Sequence, residues 1–403
     1  MATPKLRFKE FDGDWFQSKI GEIFQVTSGS TPLRSDNRFF ENADIAWVKT
    51  TDLNNGLIEK TEEKISQIAL KETSVKILPK GTVFVAMYGG FNQIGRTGLL
   101  VHEAACNQAL SAIYPNEKID SYFLLTFLNH KVDDWKNFAA SSRKDPNITK
   151  SDVLAFPLKY PVKEEQTKIA SFLSNVDEKI SQLTQKHALL SQYKQGMMQK
   201  LFSQQLRFKA DDGSEFGEWE KVKLGSLLIK HDEKTEFNNQ YPVLTSSRHG
   251  IYFQKDYFAG QDVASADTTG YNVVPYDYFT YRHMSDDLVF KFNINTICPK
   301  GIVSTLYPVF TVKDEHLNKY FLQTILNEGQ EFKNFAIMQK QGGSRTYMYF
   351  SKLSELVLTI PCLEEQTKIA NFLSAIDQKI EVVTQQIEQA KTWKKGLLQQ
   401  MFV

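Results

Sequence analysis

The sequence predicts an α+β protein: two mixed α/β, strand-rich variable domains joined by two long helices packed as an antiparallel coiled coil. It predicts an internal tandem repeat of about 200 residues with pseudo-two-fold symmetry. Three observations carry this. The stretch EEQTKIASFLSNVDEKI, Glu164 to Ile180, returns as EEQTKIANFLSAIDQKI, Glu364 to Ile380, 200 residues on. The tetrapeptide Leu6-Arg7-Phe8-Lys9 returns at the same offset as Leu206-Arg207-Phe208-Lys209. The apolar residues after each EEQ follow a four–three spacing over about five heptads, the pattern of a coiled-coil seam.

Each repeated stretch reads as a helix from its first turn. Pro161 stands just upstream of Glu164 and Glu165, where the helix dipole favours negative charge. One row of the first seam is Ile169, Val176, Leu183 and Leu190; the other contains Leu173 and Ile180, then the polar His187 and Lys194. The second seam has Ile369, Ile376 and Val383 in one row and Leu373, Ile380 and Ile387 in the other, with Lys394 next. Some 40 residues of helix extend about 60 Å at 1.5 Å per residue. Such a seam cannot be buried alone, and the obvious partner of one copy is the other. Glu164-Glu165 and Glu364-Glu365 read most simply as dipole and solvation residues.

The repeat places the first variable domain in 1–160, the first spacer helix in 161–205, the second domain in 206–360 and the second helix in 361–403. Trp15 and Gly21 echo Trp219 and Gly225 at the domain starts. In the first domain Ile20–Val26 is a short alternating run, Ile45–Val48 and Thr82–Met87 read as strands, Cys106–Ile113 as another strand or its entry, Thr27–Pro32 as a turn-rich loop and Tyr122–Phe138 as helix. In the second, Tyr241–Thr245, Tyr271–Tyr281 and Gly301–Val312 carry strand signals, and Tyr320–Phe335 matches the earlier helix. Two nearly identical helices joining two diverged domains suggest one shared task for the helices and different tasks for the domains.

Composition narrows the class. The chain is 41% hydrophobic and 24% charged, as in folded soluble proteins. No apolar run approaches the roughly 18 residues of a membrane span, and the N-terminus lacks a signal-peptide core, so a cytoplasmic protein is expected. Three distant cysteines fit reduced thiols and no zinc site. With a net charge of +1, a nucleic-acid surface has to be a local patch.

No catalytic constellation stands out. There is no phosphate-binding loop ending in Lys-Ser/Thr. Lys144-Asp145-Pro146-Asn147 lacks the second proline and the aromatic of the Asp-Pro-Pro-aromatic motif of amino-methyltransferases. The domain loops do hold side chains that can read DNA: Arg can bond guanine O6 and N7, Asn and Gln adenine N6 and N7, and Ser, Thr and Lys phosphates. The DNA-binding candidates of the first domain are Lys49, Thr51, Asn92, Gln93, Arg96, Asn107, Gln108, Arg143 and Lys144. Those of the second are Ser247, Arg248, His249, Tyr281, Arg282, Lys340, Ser344, Arg345 and Tyr347. A coiled-coil adaptor whose heads bind proteins or small ligands is the rival function class; it needs no basic loops in both heads.

Over essentially its whole length the chain resembles the specificity subunits of type I restriction–modification systems. The resemblance rests on the tandem EEQTKIA-(S/N)-FLS helices, the Gln199-Lys200-Leu201-Phe202 to Leu206-Arg207-Phe208-Lys209 junction, the Trp–Gly domain starts and the Thr27–Pro32 loop. It implies that the variable domains are target recognition domains, each reading one half of an asymmetric, split site in double-stranded DNA. It implies that the helices act as spacer and as docking surfaces for two methyltransferase subunits. Those partners would carry S-adenosylmethionine and methylate adenine N6; restriction subunits using ATP and Mg would join them in defence against phage. It implies no catalytic residue, metal or cofactor in this chain, and it does not identify the base-contacting residues.

Overall fold

The computed structural model describes residues 3–89, 92–138, 147–260, 264–340 and 345–402. The chain divides into two compact units, Met1–Lys186 with Val383–Val403, and His187–Val382. The long helices run Lys163–Phe202 and Leu363–Met401. The boundaries fall inside them, so each unit holds the first part of one helix and the last part of the other.

Within the first unit the two helical segments are antiparallel. The amide of Leu6 donates to the Gln400 carbonyl while Arg7 bonds Glu165, which puts Gln400 beside Glu165. Twelve residues further along the first helix, Asp177 accepts from Lys394 at 2.5 Å, six residues back along the second. The second unit repeats the arrangement with its own residues: Leu206 donates to Lys200, Arg207 bonds Glu365, and Lys194 pairs with Asp377 at 2.7 Å.

The seam positions Ile169, Leu173, Val176, Leu183, Ile369, Leu373, Ile376, Val383 and Ile387 are buried. Ile180, Leu190 and Ile380 are half-buried. Burial of each such aliphatic side chain is worth about 1.5–3 kcal/mol. Lys194 lies on the same seam yet is nearly buried, because Asp377 and Glu328 both receive its ammonium. The first helix stops where Gln204 turns left-handed at φ 60°; the amides of Ser203, Gln204 and Leu206 take the Gln199, Leu201 and Lys200 carbonyls.

Each variable domain opens and closes on a paired strand. Phe16–Lys19 is antiparallel to Pro157–Tyr160, and Glu220–Lys223 to Val357–Ile360. This clasp brings the start of the domain to the foot of its long helix. Inside the first domain, a five-stranded sheet runs in the order Val26–Ser28, Leu110–Ile113, Val83–Ala86, Thr97–Leu100, Gly56–Ile58. A three-stranded sheet has Ile45–Val48 between Glu63–Ile65 and Ala105–Cys106. The second domain has instead a four-stranded sheet, Leu228–His231, Val309–Val312, Phe279–Thr280, Asn293–Ile294, and several two-stranded ribbons.

Local readings differ from the structure in detail. The Ile20–Val26 run is not one strand: Ile20–Ile23 is a single helical turn and the strand begins at Val26. Both domain helices break. Ser121–His130 is followed by Asp134–Phe138, and Lys319–Glu328 is interrupted at Gly329, where a Cβ would lie 2.6 Å from the Ile325 carbonyl oxygen.

Each core joins sheet, domain helix and long helices. In the first unit Phe123, Phe127, Trp135 and Phe156 pack with Ile169, Leu173, Val176, Leu397, Met401 and Phe402. In the second, Phe321, Phe332 and Met348 pack with Met198, Leu201, Ile369, Leu373 and Ile376.

Candidate nucleic-acid interface

The repeated motifs form the frame that holds the variable loops. Arg7 donates to both oxygens of Glu165, at 2.8 and 2.7 Å, and Arg207 to both of Glu365, at 3.1 and 2.6 Å. The two glutamates are fully buried, so reading them as solvated helix-start residues is corrected: burial in a carboxylate–guanidinium fork is their role. Phe8 meets Phe172 edge-on at 6.0 Å and Phe208 meets Phe372 at 5.7 Å. Gln166 accepts from the Asp120 amide and donates to the Lys118 and Pro161 carbonyls; Gln366 treats Asn318, His316 and Pro361 alike. Asp120 and Asn318 in turn cap the domain helices.

On this frame the second domain gathers most of its candidate residues. Leu244–Ser247 and Gly250–Phe253 form a hairpin whose turn carries Arg248 and His249, both exposed. Ser247 uses its hydroxyl inside the turn, donating to the Gly250 carbonyl at 3.0 Å and accepting the His249 amide. Met284–Ser285 pairs with Thr346–Tyr347, which brings Arg282 and Arg345 to one ribbon. Arg248 forks onto Asp287 at 2.8 and 2.7 Å, and Arg345 bonds Asp286 at 2.9 Å. The Asp287 carboxyl is pulled down to about 2, chiefly by the hydrogen bonds from Arg248. Tyr347 is 41% exposed and stacks on Tyr349, itself exposed, at 5.7 Å; His283 stacks on Tyr349 at 4.9 Å. Lys340 is exposed at the end of the helix Gln330–Met338.

Tyr281 is corrected. Its side chain is fully buried and its hydroxyl donates to the Met348 carbonyl at 2.9 Å, so it braces the core and reads no base. Burial raises its pKa far above the ordinary phenol value. The chain leaves the strand Phe279–Thr280 still facing the core, with Phe279, Thr280 and Tyr281 all buried, and only Arg282, next in sequence, is exposed.

In the first domain, several candidates are spent internally. The Lys49 ammonium pairs with Glu63 at 2.7 Å and Glu62 at 3.1 Å, and the Thr51 hydroxyl also donates to Glu62. The bond to Glu63 raises the Lys49 pKa, while Arg34, then Lys49, hold the Glu63 carboxyl low. Lys49 is thus half-buried in a carboxylate network to which the exposed Thr51 is tied. Asn107 closes a turn by accepting the Ala109 amide, and Gln108 accepts from Thr31. Asn92 is exposed, Gln93 and Arg96 half-exposed, in the turn before Thr97–Leu100. Arg143, Lys144 and Ser344 lie outside the described residues.

Arg34 escaped the sequence reading. Its guanidinium sits over Phe40 and Trp47, 4.8 and 5.0 Å from the ring centroids, and reaches Glu63 at 2.6 Å. The Leu33-Arg34 pair after the Thr27–Pro32 loop was the available signal. Among the described residues, no group of three or more His, Cys, Asp or Glu could hold a metal, and no helix is long and apolar enough to cross a membrane.

The family model described as the type I restriction modification DNA specificity domain matches twice, over residues 12–192 and 217–392. The chain therefore belongs to the family of type I restriction–modification DNA specificity subunits, and DNA sequence recognition in such a system is its role. Among its relatives, the type I restriction enzyme MjaVIII specificity subunit of Methanocaldococcus jannaschii is 25% identical over 434 aligned residues, covering 97% of this chain and 94% of the relative. The MjaIX specificity subunit of the same organism is 24% identical over 330, covering 69% and 74%. The fold matches the type I S subunit from M. genitalium with a TM-score of 0.63 at 15% identity, over 100% of this chain and 99% of the other. A chain from a structure on complex assembly and conformational transition of the type I R-M system gives 0.52 at 15% identity, over 96% and 97%.

Proposed function

We propose that each variable domain reads one half of an asymmetric, bipartite site in double-stranded DNA. The observation that carries this is a constant frame under unlike heads. The Arg–Glu fork, the Phe–Phe contact and the Gln cap recur at an offset of 200 residues. The sheets above them differ in strand number and order, and their loops differ in chemistry. Equivalent frames favour equivalent partners, because equal surfaces take equal contacts. The nearly identical helices accordingly dock two adenine-N6 methyltransferase subunits, and their length sets the gap between half-sites. S-adenosylmethionine, ATP and Mg belong on those partners and on the restriction subunits, and this chain performs no bond-breaking step.

The test is domain exchange. Replacing residues 15–160 by the corresponding domain of another specificity subunit, in a strain expressing the methyltransferase, should rewrite one half of the N6-methyladenine motif and leave the other. A change in both halves would refute independent reading. Full partner binding with no DNA preference would favour an adaptor.

A further inference from the structure

Arg248 is held in a way that suits a base edge better than a phosphate. Its turn is braced from below: Asn293, 4% exposed, donates to the Ser246 hydroxyl at 2.8 Å and the Ser247 carbonyl at 2.9 Å. Asp287 engages the guanidinium end-on, through Nη1 and Nη2. Asp287 is fixed in turn by the Ser285 hydroxyl at 2.9 Å. Among the described residues the end-on fork leaves the Nε–H and outer Nη–H groups of Arg248 open, and these form the second bidentate edge of a guanidinium.

Charge argues in the same direction. Asp287 compensates Arg248, and Asp286 stands next to it in sequence, so a phosphate set against the Arg248 guanidinium itself gains little and meets carboxylates. A base edge carries no formal charge, so it gains directed hydrogen bonds without that repulsion. The fork also fixes the rotamer before binding, which removes much of the entropy cost of ordering a long side chain. Arg282 lines the same cleft, of about 240 Å³, together with Lys291, Tyr257 and Tyr307. It is exposed and suits a phosphate.

We propose that Arg248, buttressed by Asp287, is a specificity-determining residue that reads a guanine through O6 and N7 in the major groove. This rests on the bipartite-site reading above and adds a residue and a base to it.

The experiment selects sites from a randomised duplex pool with the full chain in complex with the methyltransferase subunits of its own locus. The wild type should enrich a split motif with a guanine in one half. R248A should flatten that position alone, losing a preference of about 5- to 150-fold. R248Q should move the position towards adenine, which Gln can bond bidentately, a change no loss of loop packing produces. D287A should weaken the guanine preference without replacing it. R282A should lower binding to all sequences and reduce the salt slope by about one. A motif in which R248A and R248Q keep the wild-type guanine, or one with no guanine in the half these variants alter, would overturn the assignment. A wild type that enriches no split motif would instead refute the bipartite reading, and this assignment with it.

Discussion

Arg7 Nη2 lies 2.7 Å from Oε2 of Glu165, a carboxylate with no exposed surface, and Arg207 holds Glu365 in the same way 158 residues apart in each case. A short lead-in motif is thus locked to the start of a long helix by a bidentate ion pair. Each member makes the other's burial tolerable. Removing one leaves a charge without its counter-charge, which typically costs about 3–5 kcal/mol when a buried pair is broken.

E165A should therefore destabilise the first unit by about 3 kcal/mol or more, and E365A the second. The R7A/E165A double variant should be less destabilised than the sum of the singles. Denaturant unfolding of the four species of this cycle measures the coupling. Additive losses would show that the fork contributes nothing beyond its separate contacts.

Gln166 joins the long helix to the domain helix. Its Oε1 takes the Asp120 amide at 2.9 Å, and its Nε2 bonds the Pro161 carbonyl at 2.9 Å. Q166L keeps the volume and strands these buried groups, at about 1–3 kcal/mol. Hydrogen exchange should accelerate at the Asp120 amide and in Ser121–His130, while Lys319–Glu328, capped from Gln366, stays protected. Equal acceleration in both helices would contradict a local cap.

The frame was legible in the sequence as repetition and not as mechanism. Identical spacing exposed the long helices, since a seam of Ile169, Leu173 and Val176 admits few other readings. The fork stayed hidden, because Arg7 and Glu165 are distant in sequence and a first-turn glutamate usually serves the dipole. In the second head Arg248, Arg282 and Arg345 were recoverable from residue type, whereas Asp286 and Asp287, which orient two of them, were passed over as ordinary acidic residues. Tyr281 was misplaced because an aromatic-rich run does not announce where it leaves the core: Phe279, Thr280 and Tyr281 are all buried and Arg282 is the first residue exposed. In the first head Lys49 looked available only because its partners Glu62 and Glu63 are thirteen and fourteen residues away.

Gly29 tests the loop that precedes Arg34. A Cβ there would lie 2.2 Å from the Cys106 carbonyl oxygen and 2.3 Å from that of Asn107, both backbone atoms with little room to move. G29A should push the loop off Ala105–Cys106 and cost about 1–3 kcal/mol. The Ser30 amide, bonded to the Cys106 carbonyl at 3.0 Å, should lose exchange protection. Unchanged protection at Ser30 would mean that the loop absorbs the methyl group.

His130 gives the first unit a pH dependence. Its ring stacks on Phe402 at 5.7 Å, at the end of the second long helix. Burial, then the neighbouring Lys131, lowers its pKa below the ordinary 6.5, with Asp134 opposing. The sign follows from the neutral form being favoured when folded. Above about pH 6.5 neither state binds the proton and His130 adds no pH term. As the pH falls below that value the unfolded chain takes up a proton that the folded unit resists, so stability drops until the folded pKa is passed. Unfolding of the wild type between pH 7.5 and 5 should show this loss in the first unit, and H130Q should show a smaller one. A wild-type profile that matches H130Q would place the ring's titration outside the fold's energetics.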